Sequence, residues 1–182
     1  KEGETRATLI VGDDDWSFPA PLKKKGDKWT FDAAAGREEI INRRIGRNEL
    51  DTLQTLLAIV DAQREYAAAD PDQTGFNAYA RRFISSDGKK DGLYWPTPTG
   101  EPESPLGPVF AAARAAGGGD DAGYYGYRYK LLTSQGKNAP GGAFDYVARG
   151  RMIGGFAAVA WPVKYGDTGV MTFMVSHDGV VY

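Results

Sequence analysis

The sequence of 182 residues contains no cysteine and a single histidine, His177. The lack of cysteine excludes disulfide bridges, thiolate nucleophiles and zinc–thiolate centres. With one histidine as well, a metal site would need oxygen ligands, and a nucleophile would have to be serine, threonine, lysine or a carboxylate. Most familiar designs of enzyme active sites are thereby excluded, and we expect no cofactor.

Neither sign of charge dominates, because 22 basic residues face 24 acidic ones and the net charge is -2. No segment gathers a basic stripe, so the charge pattern of a nucleic-acid-binding protein is missing. The longest apolar run, Met152 to Val163, contains two glycines and is shorter than the roughly 18 residues of a membrane helix. We therefore expect neither nucleic-acid binding nor a membrane span in this chain.

What is present indicates a globular fold. Hydrophobic residues make up 42% of the chain and charged residues 25%, which is typical of a protein that folds around its own core. The length fits one such core, so we expect a single domain over residues 1–182. Its parts are expected in this order: an N-terminal β-unit (1–31), helices (32–69), an irregular region with a short helix (70–123) and an antiparallel sheet (124–182).

The N-terminal β-unit is indicated by strand formers and turns. Ala7 to Val11 is rich in strand formers, and the prolines within Trp16 to Leu22 are tolerated at the edge of a sheet. A turn at residues 24–27, just before Lys28 to Phe31, predicts a hairpin.

Two consecutive helices are predicted after this unit. Asp32 is a good N-cap for the first, and Gly46 is a C-terminal stop. Asn48 would cap the second, which ends before Asp70 and Pro71. Apolar residues recur along the second helix at the spacing of a buried face, at Leu50, Leu53, Leu57 and Val60, flanked by Leu56 and Ile59.

The region after the helices is rich in proline and glycine, which predicts irregular structure. Its aromatic residues should tie it to the rest of the domain, because a flexible linker would not carry so much apolar surface. A short alanine-rich helix is predicted from Pro108 to Ala116, and it ends at the glycines 117–119.

The last third of the chain predicts an antiparallel sheet. The expected strands are Tyr125 to Leu131, Phe156 to Val163, Val170 to Ser176 and Val180 to Tyr182. The turns at 166–169 and at Asp178-Gly179 are too short for the crossover that a parallel pair needs. The expected fold class is therefore α+β, with a long helix packed across a C-terminal antiparallel sheet.

The run Ser176-His177-Asp178 contains the three residue types of a catalytic triad. Adjacent residues of a strand point to opposite faces, so three in a row cannot form the required chain of nucleophile, base and orienting acid. We interpret His177 as a structural turn residue.

A calcium loop is suggested by Asp70, Asp72 and Thr74, which stand at alternate positions before Gly75. The twelfth position of such a loop needs a bidentate glutamate, and here it is Arg81, whose positive charge would repel calcium. We interpret the run as a helix end followed by a turn, and we expect no metal site.

The remaining polar and glycine motifs are also interpreted as structural. Gly117, Gly119 and Ala122 have the spacing of a dinucleotide-binding loop, but they follow a helix where that loop follows a strand. Glu101 and Glu103 could be a carboxylate pair for sugar hydrolysis, but carboxylates in a proline-rich turn are usually solvated. The same holds for two charged runs, Asp13, Asp14 and Asp15, and Lys23, Lys24 and Lys25. No residue is therefore assigned as catalytic, cofactor-binding or metal-binding.

Tyrosines cluster ahead of the sheet, at positions 124, 125, 127 and 129. They are too many for one buried face, so some should be exposed. Exposed tyrosine and tryptophan are common contacts for sugars and protein partners.

The sequence resembles a bacterial exported family known as domain of unknown function 2950. The resemblance extends over nearly the whole chain and rests on GRNELDTLQTLLAIVDAQREYAA (46–68), GLYWP (92–96), GEPESPLGP (100–108), NAPGGAFDY (138–146) and GGFAAVAWPVKYGDTGVMTF (154–173). It implies export to the periplasm or the cell exterior, and it implies no activity, cofactor or catalytic residue.

The arrangement is also similar to the globular part of type IV pilins and pseudopilins, in which a long helix lies across an antiparallel sheet. The apolar membrane half of the pilin helix has no counterpart in this sequence, and the N-terminal β-unit is an addition. This second resemblance concerns the fold, and fold alone does not define function.

The function that these observations favour is a non-catalytic exported module of the bacterial envelope, which binds a protein or a surface polymer through loops and exposed aromatics. One alternative is a carboxylate-based hydrolase, which clustered carboxyl groups with raised pKa values in a deep cleft would favour. Another is a structural component of a secretion or pilus-like assembly, which a flat apolar patch on the long helix would favour.

Overall fold

A 37-residue helix, α1 (Ala33–Ala69), runs through the computed structural model. The structure describes residues 4–71, 73, 75–107 and 123–182. Its strands in chain order are β1 (Arg6–Ala7), β2 (Ile10–Val11), β3 (Trp16–Ser17), β4 (Leu22–Lys25), β5 (Lys28–Phe31), β6 (Tyr127–Leu132), β7 (Ser134–Gln135), β8 (Phe144–Asp145), β9 (Val147–Ala148), β10 (Arg151–Met152), β11 (Ala157–Pro162) and β12 (Phe173–Ser176). The predicted helix from Pro108 to Ala116 lies outside the described residues.

Helix α1 begins and ends where the sequence predicts, but the predicted break in its middle is wrong. The Asp32 side chain accepts a hydrogen bond from the Ala35 N–H, and Asp70 ends the helix in the left-handed conformation. Gly46 continues the helix, since a helical glycine costs only about 1 kcal/mol relative to alanine. Asn48 does not cap a second helix; its Nδ2 donates to the Thr168 carbonyl at 2.8 Å. Contacts with a distant loop therefore hold the helix together where local signals predict an end.

The buried face of α1 also differs from the predicted stripe. Leu50 is 65% exposed and Leu57 is 38% exposed. The buried face keeps Val60 of that stripe and its flanking residues Leu56 and Ile59, and is otherwise rotated from it. It consists of Thr52, Thr55, Leu56, Ile59, Val60, Ala62, Gln63, Tyr66 and Ala67. Polar Thr52 and Gln63 can be buried because each has a hydrogen-bond partner in the folded chain.

The C-terminal sheet has the strand order β12-β11-β6, with both pairs antiparallel. β11 is the central strand, as its apolar sequence predicts. The predicted last strand is reduced to a bridge between Val175 and Val181, where Met174 and Tyr182 exchange two backbone hydrogen bonds of 2.8 Å. Helix α1 packs against β11 and β12, so the fold is α+β with the long helix on the C-terminal sheet.

The N-terminal β-unit contains the sheet β1-β4-β5 and the pair β2-β3. The predicted hairpin is confirmed, with Gly26 at φ 62 in the turn between β4 and β5. Arg43 of α1 anchors this unit, because its two terminal nitrogens donate to the Ser17 carbonyl and hydroxyl at 2.7 and 2.8 Å. The N-terminal unit is thereby attached to the first half of the helix.

The irregular region after α1 is tied to the core, as its aromatic content predicts. Phe83, Leu93, Trp95 and Leu106 are all buried. Within the described residues, no helix has both the length and the hydropathy needed to cross a membrane.

Candidate functional site

A cleft lies where three separate segments of the chain meet. It has a volume of about 590 Å³ and is bounded by Ala20 of the N-terminal unit, the first half of α1 and the loop at residues 164–167. Four charged residues line it, namely Arg37 and Arg44 on α1 and Lys164 and Asp167 on the loop. Ile40 and Tyr165 add apolar surface. We call this site the cationic cleft.

One wall of the cationic cleft depends on a close approach of backbones. Gly36 is buried in the first half of α1. A Cβ atom at this position would lie 2.8 Å from the Ala20 Cβ and 3.0 Å from its Cα. Glycine therefore allows the N-terminal unit to rest directly on the helix.

The other wall is a loop fastened to α1 by three side chains. Arg44 donates to the Asp167 carbonyl at 3.1 Å and forms an ion pair with its carboxylate. Asn48 donates to Thr168, and Glu49 Oε1 accepts from the backbone N–H groups of Val170 and Met171 at 2.9 and 3.0 Å. Arg44, Asn48 and Glu49 lie within two turns of the helix, so their contacts define the position of the whole loop.

Positive charge exceeds negative charge in this cleft. Asp167 is shared between Arg44 and Lys164, whose Nζ lies 3.2 Å from the carboxylate. Arg37 adds a third cation. The Tyr165 side chain is 76% exposed beside them, and Ile40 is 55% exposed. The arrangement can attract an anionic group and pack a ring or alkyl chain against Tyr165 and Ile40.

Two carboxyl groups, those of Asp32 and Asp91, have a lowered pKa and are therefore ionised more readily than usual. The hydrogen bond from the Ala35 N–H lowers the pKa of Asp32. Burial raises the pKa of Asp91, but hydrogen bonds from Ser86 outweigh it and the net pKa is lowered. A general acid needs the opposite shift. No cluster of three or more potential metal-ligating His, Cys, Asp or Glu side chains occurs in the part of the chain that the structure describes.

The tyrosine cluster divides as the sequence predicts, with some rings buried and one exposed. Tyr127 and Tyr129 are 0% and 1% exposed and face the helix, whereas Tyr125 is 47% exposed. Burial raises the pKa of Tyr127, Tyr129 and Tyr146, and it raises that of Tyr124 to about 12. The buried tyrosines therefore stay protonated, and the single Tyr127 hydroxyl proton is shared between Glu49 at 3.2 Å and the Met171 carbonyl at 3.0 Å.

His177 is not part of a triad. Its ring packs edge-on against Tyr146 and Phe156, with centroids 6.2 and 6.4 Å apart. The Ser176 hydroxyl is 3.3 Å from the Asp178 carboxylate, so serine and histidine are not linked as nucleophile and base. Asp178 lies near both neighbours, since His177 Nε2 is also 3.7 Å from its carboxylate.

The first residue of the calcium-loop pattern, Asp70, forms the C-terminal end of a helix. Asp70 terminates α1, and its Oδ2 accepts a hydrogen bond from the Gly75 N–H at 2.8 Å. Asp72 and Thr74 lie outside the described residues, as do Gly117, Gly119 and Ala122 of the dinucleotide pattern.

The other charged candidates remain apart from the cleft. Glu101 and Glu103 are exposed, as are the aspartates 13–15. Lys23 pairs with the helix cap Asp32 at 3.3 Å, and Lys24 and Lys25 are exposed. Sequence reasoning missed the cationic cleft, although Arg37, Ile40 and Arg44 repeat at helical spacing and could have indicated one functional face of α1.

Fold and site together define an α+β domain with an open, positively charged cleft and no gathered catalytic groups among the described residues. The chain belongs to the family described as "Protein of unknown function (DUF2950)", whose family model matches residues 1–182. This confirms the family that the sequence resembles, and the family description assigns no activity. No curated protein and no solved structure matches the chain.

Proposed function

We propose that this protein is a non-catalytic, exported module of the bacterial envelope that binds a protein or a surface polymer through the cationic cleft. The observation that carries the proposal is the grouping of Arg37, Arg44 and Lys164 around exposed Tyr165 in a cleft of about 590 Å³. The chain as a whole has a net charge of -2, so this positive surface is a local feature. Export is supported by the resemblance of the sequence to an exported family.

The cleft suits the recognition of an anionic chain. Its volume lies within the roughly 300–1,000 Å³ typical of ligand sites, and its open edge lets a polymer continue beyond it. Arginine and lysine bind carboxylate or phosphate groups, while a tyrosine ring packs against sugar rings or apolar side chains. Carboxyl groups that favour ionisation support a binding module over a carboxylate-based hydrolase.

The binding proposal is tested by titrating the protein with poly-L-glutamate, polygalacturonate and neutral dextran in a calorimeter. One of the two anionic polymers should bind, and the Arg37→Gln/Lys164→Gln variant should bind it about 10-fold or more weakly, because two charge-assisted contacts are lost. Lys24→Gln, which removes an exposed lysine from the N-terminal hairpin, is the matched control and should bind as the wild type does. Equal affinity of all three proteins, or no binding to either anionic polymer, would contradict the proposal.

The location is tested separately, by fractionating a bacterium that carries the gene and detecting the protein with an antibody. We expect it in the periplasmic or extracellular fraction. Detection in the cytoplasmic fraction alone would refute export without bearing on the cleft.

A structural role in a secretion or pilus-like assembly is a second candidate. It is favoured by Leu50 and Leu57, which are exposed seven residues apart on α1 and therefore share one side of the helix. If this side packs against a second copy, sedimentation velocity should detect an oligomer that Leu50→Lys converts to a monomer. A monomeric wild type at high concentration would rule against it.

A further inference from the structure

A second cleft lies beside the C-terminal end of α1. Its volume is about 200 Å³, below the roughly 300 Å³ at which drug-sized ligand pockets begin, so it fits a single small group. Its apolar floor includes Tyr66 and Met152, which are 4% and 0% exposed. Three arginines line it, Arg81, Arg82 and Arg151. We call it the arginine cleft.

The two carboxylates of this cleft already hold other donors. Asp91 accepts hydrogen bonds from the Ser86 N–H and hydroxyl at 2.7 and 2.9 Å, and the nearest nitrogen of Arg82 is 3.8 Å away. Asp70 accepts from the Gly75 N–H. Among the described residues, the ion pair of Asp91 is with Arg82 and not with Arg81 or Arg151.

The arginines retain more donors than these contacts use. Each guanidinium carries five N–H donors and no acceptor. Arg81 donates to the Gly150 carbonyl at 3.1 Å, and the Arg151 guanidinium lies 4.6 Å from the centre of the Phe76 ring. Contact with a ring face restrains a guanidinium and leaves the N–H groups at its edge available to an acceptor.

We propose that the arginine cleft binds a phosphate group, either as the free ion or as the end of a phosphate ester. A tetrahedral group offers several oxygens, and each guanidinium that lines the cleft can bond one or two of them, although one terminal nitrogen of Arg82 already donates to the Ser86 hydroxyl at 2.6 Å. Arg81 stands where a calcium loop needs its glutamate, so the charge that excludes a cation there attracts an anion. The inference shares no residue with the cationic cleft and does not depend on the proposed function.

The test is calorimetric titration of the protein at constant ionic strength with inorganic phosphate, glycerol 1-phosphate and acetate. The phosphate compounds should bind, and the Arg81→Gln and Arg151→Gln variants should each bind them about 10-fold more weakly. Arg47→Gln removes an exposed arginine of α1 that lines neither cleft, and it should leave phosphate affinity unchanged. Amide chemical shifts should move at Tyr79, Gly150 and Arg151, which localises the site.

The two phosphate compounds distinguish the source of the group. Tighter binding of inorganic phosphate assigns the free ion, and tighter binding of glycerol 1-phosphate assigns an ester. Acetate binding as tightly as either would overturn the phosphate assignment. Absence of phosphate binding, or full affinity in both arginine variants with unchanged circular dichroism, would overturn the site itself.

Discussion

Gln63 and Ala80 exchange two hydrogen bonds of 2.8 Å, in which the side-chain amide of Gln63 bonds both the N–H and the C=O of Ala80. Gln63 is 0% exposed and Ala80 is 1% exposed, so neither backbone group of Ala80 can turn to water instead. The glutamine amide acts as a strand partner would and fastens the irregular region to α1. A buried polar residue on the helix is thus a structural contact between two parts of the fold.

Replacing Gln63 should therefore lower the free energy of unfolding more than replacing an exposed polar residue would. We expect Gln63→Ala to lower the free energy of unfolding by about 2–4 kcal/mol, since it leaves a buried donor and a buried acceptor unpaired. Gln54→Ala, on the exposed side of the same helix, should change it by less than about 0.5 kcal/mol. Urea unfolding of both variants measures the difference, and equal losses would contradict the role of Gln63.

The rotated face of α1 is tested by two neighbouring leucines. Leu56 is 0% exposed, so Leu56→Ala should lower the free energy of unfolding by about 2–5 kcal/mol. Leu57 is 38% exposed, and Leu57→Ala should cost under about 1 kcal/mol. Thermal and urea unfolding of the pair would identify the buried side. A larger loss for Leu57 would restore the stripe that the sequence predicts.

Two glycines of α1 should respond to alanine with opposite signs. At Gly46 no atom lies within 4 Å of an added Cβ, so Gly46→Ala should stabilise the protein by about 0.5–1 kcal/mol through the lower entropy of the unfolded chain. At Gly36 the added Cβ would overlap Ala20, so Gly36→Ala should destabilise by about 1–3 kcal/mol. Calorimetric melting of both variants decides the matter. Stabilisation by Gly36→Ala would show that the N-terminal unit does not rest on the helix.

The raised pKa of Tyr124 predicts that the protein loses stability at alkaline pH. Its pKa rises from 10.0 to about 12 because burial, and then a hydrogen bond with Tyr125, disfavour the phenolate. The folded state thus holds this proton more tightly than the unfolded state. The resulting stability is fully present below pH 10 and is lost as the pH rises through about 12.

The corresponding measurement is urea unfolding at a series of pH values through that window. Tyr124→Phe has no phenolic proton, so its free energy of unfolding should fall less steeply than that of the wild type. Parallel curves for the two proteins would mean that Tyr124 titrates normally.

Much of the fold could be predicted from the sequence, because it depends on interactions between residues that are close together in the chain. Asp32 caps the helix because its carboxylate reaches a free N–H of the first turn, and this depends only on the residues around it. The turn at Gly26 and the antiparallel strands β11 and β12 are likewise encoded by short-range patterns. The family could also be recognised from contiguous motifs, and its family model matches residues 1–182.

The cationic cleft could not be predicted from the sequence. Lys164 and Arg37 belong to different thirds of the chain, and each alone looks like an ordinary solvated charge. They face one cleft because Arg44 and Asn48 bind the loop that carries Lys164. No periodicity or spacing in the sequence reports that contact.

The sequence by itself determined the fold class, the family and the two ends of α1. It also determined that neighbouring strands of the C-terminal sheet are antiparallel. Each of these features depends on adjacent residues or on a continuous pattern. The tertiary structure alone decided that α1 continues through Gly46, that Gln63 is buried while Leu50 is exposed, and that three cations share a cleft. The physical reason is that burial of a polar group and grouping of like charges are favourable or tolerable only with particular partners. Those partners lie far away in the chain and come together only when it folds.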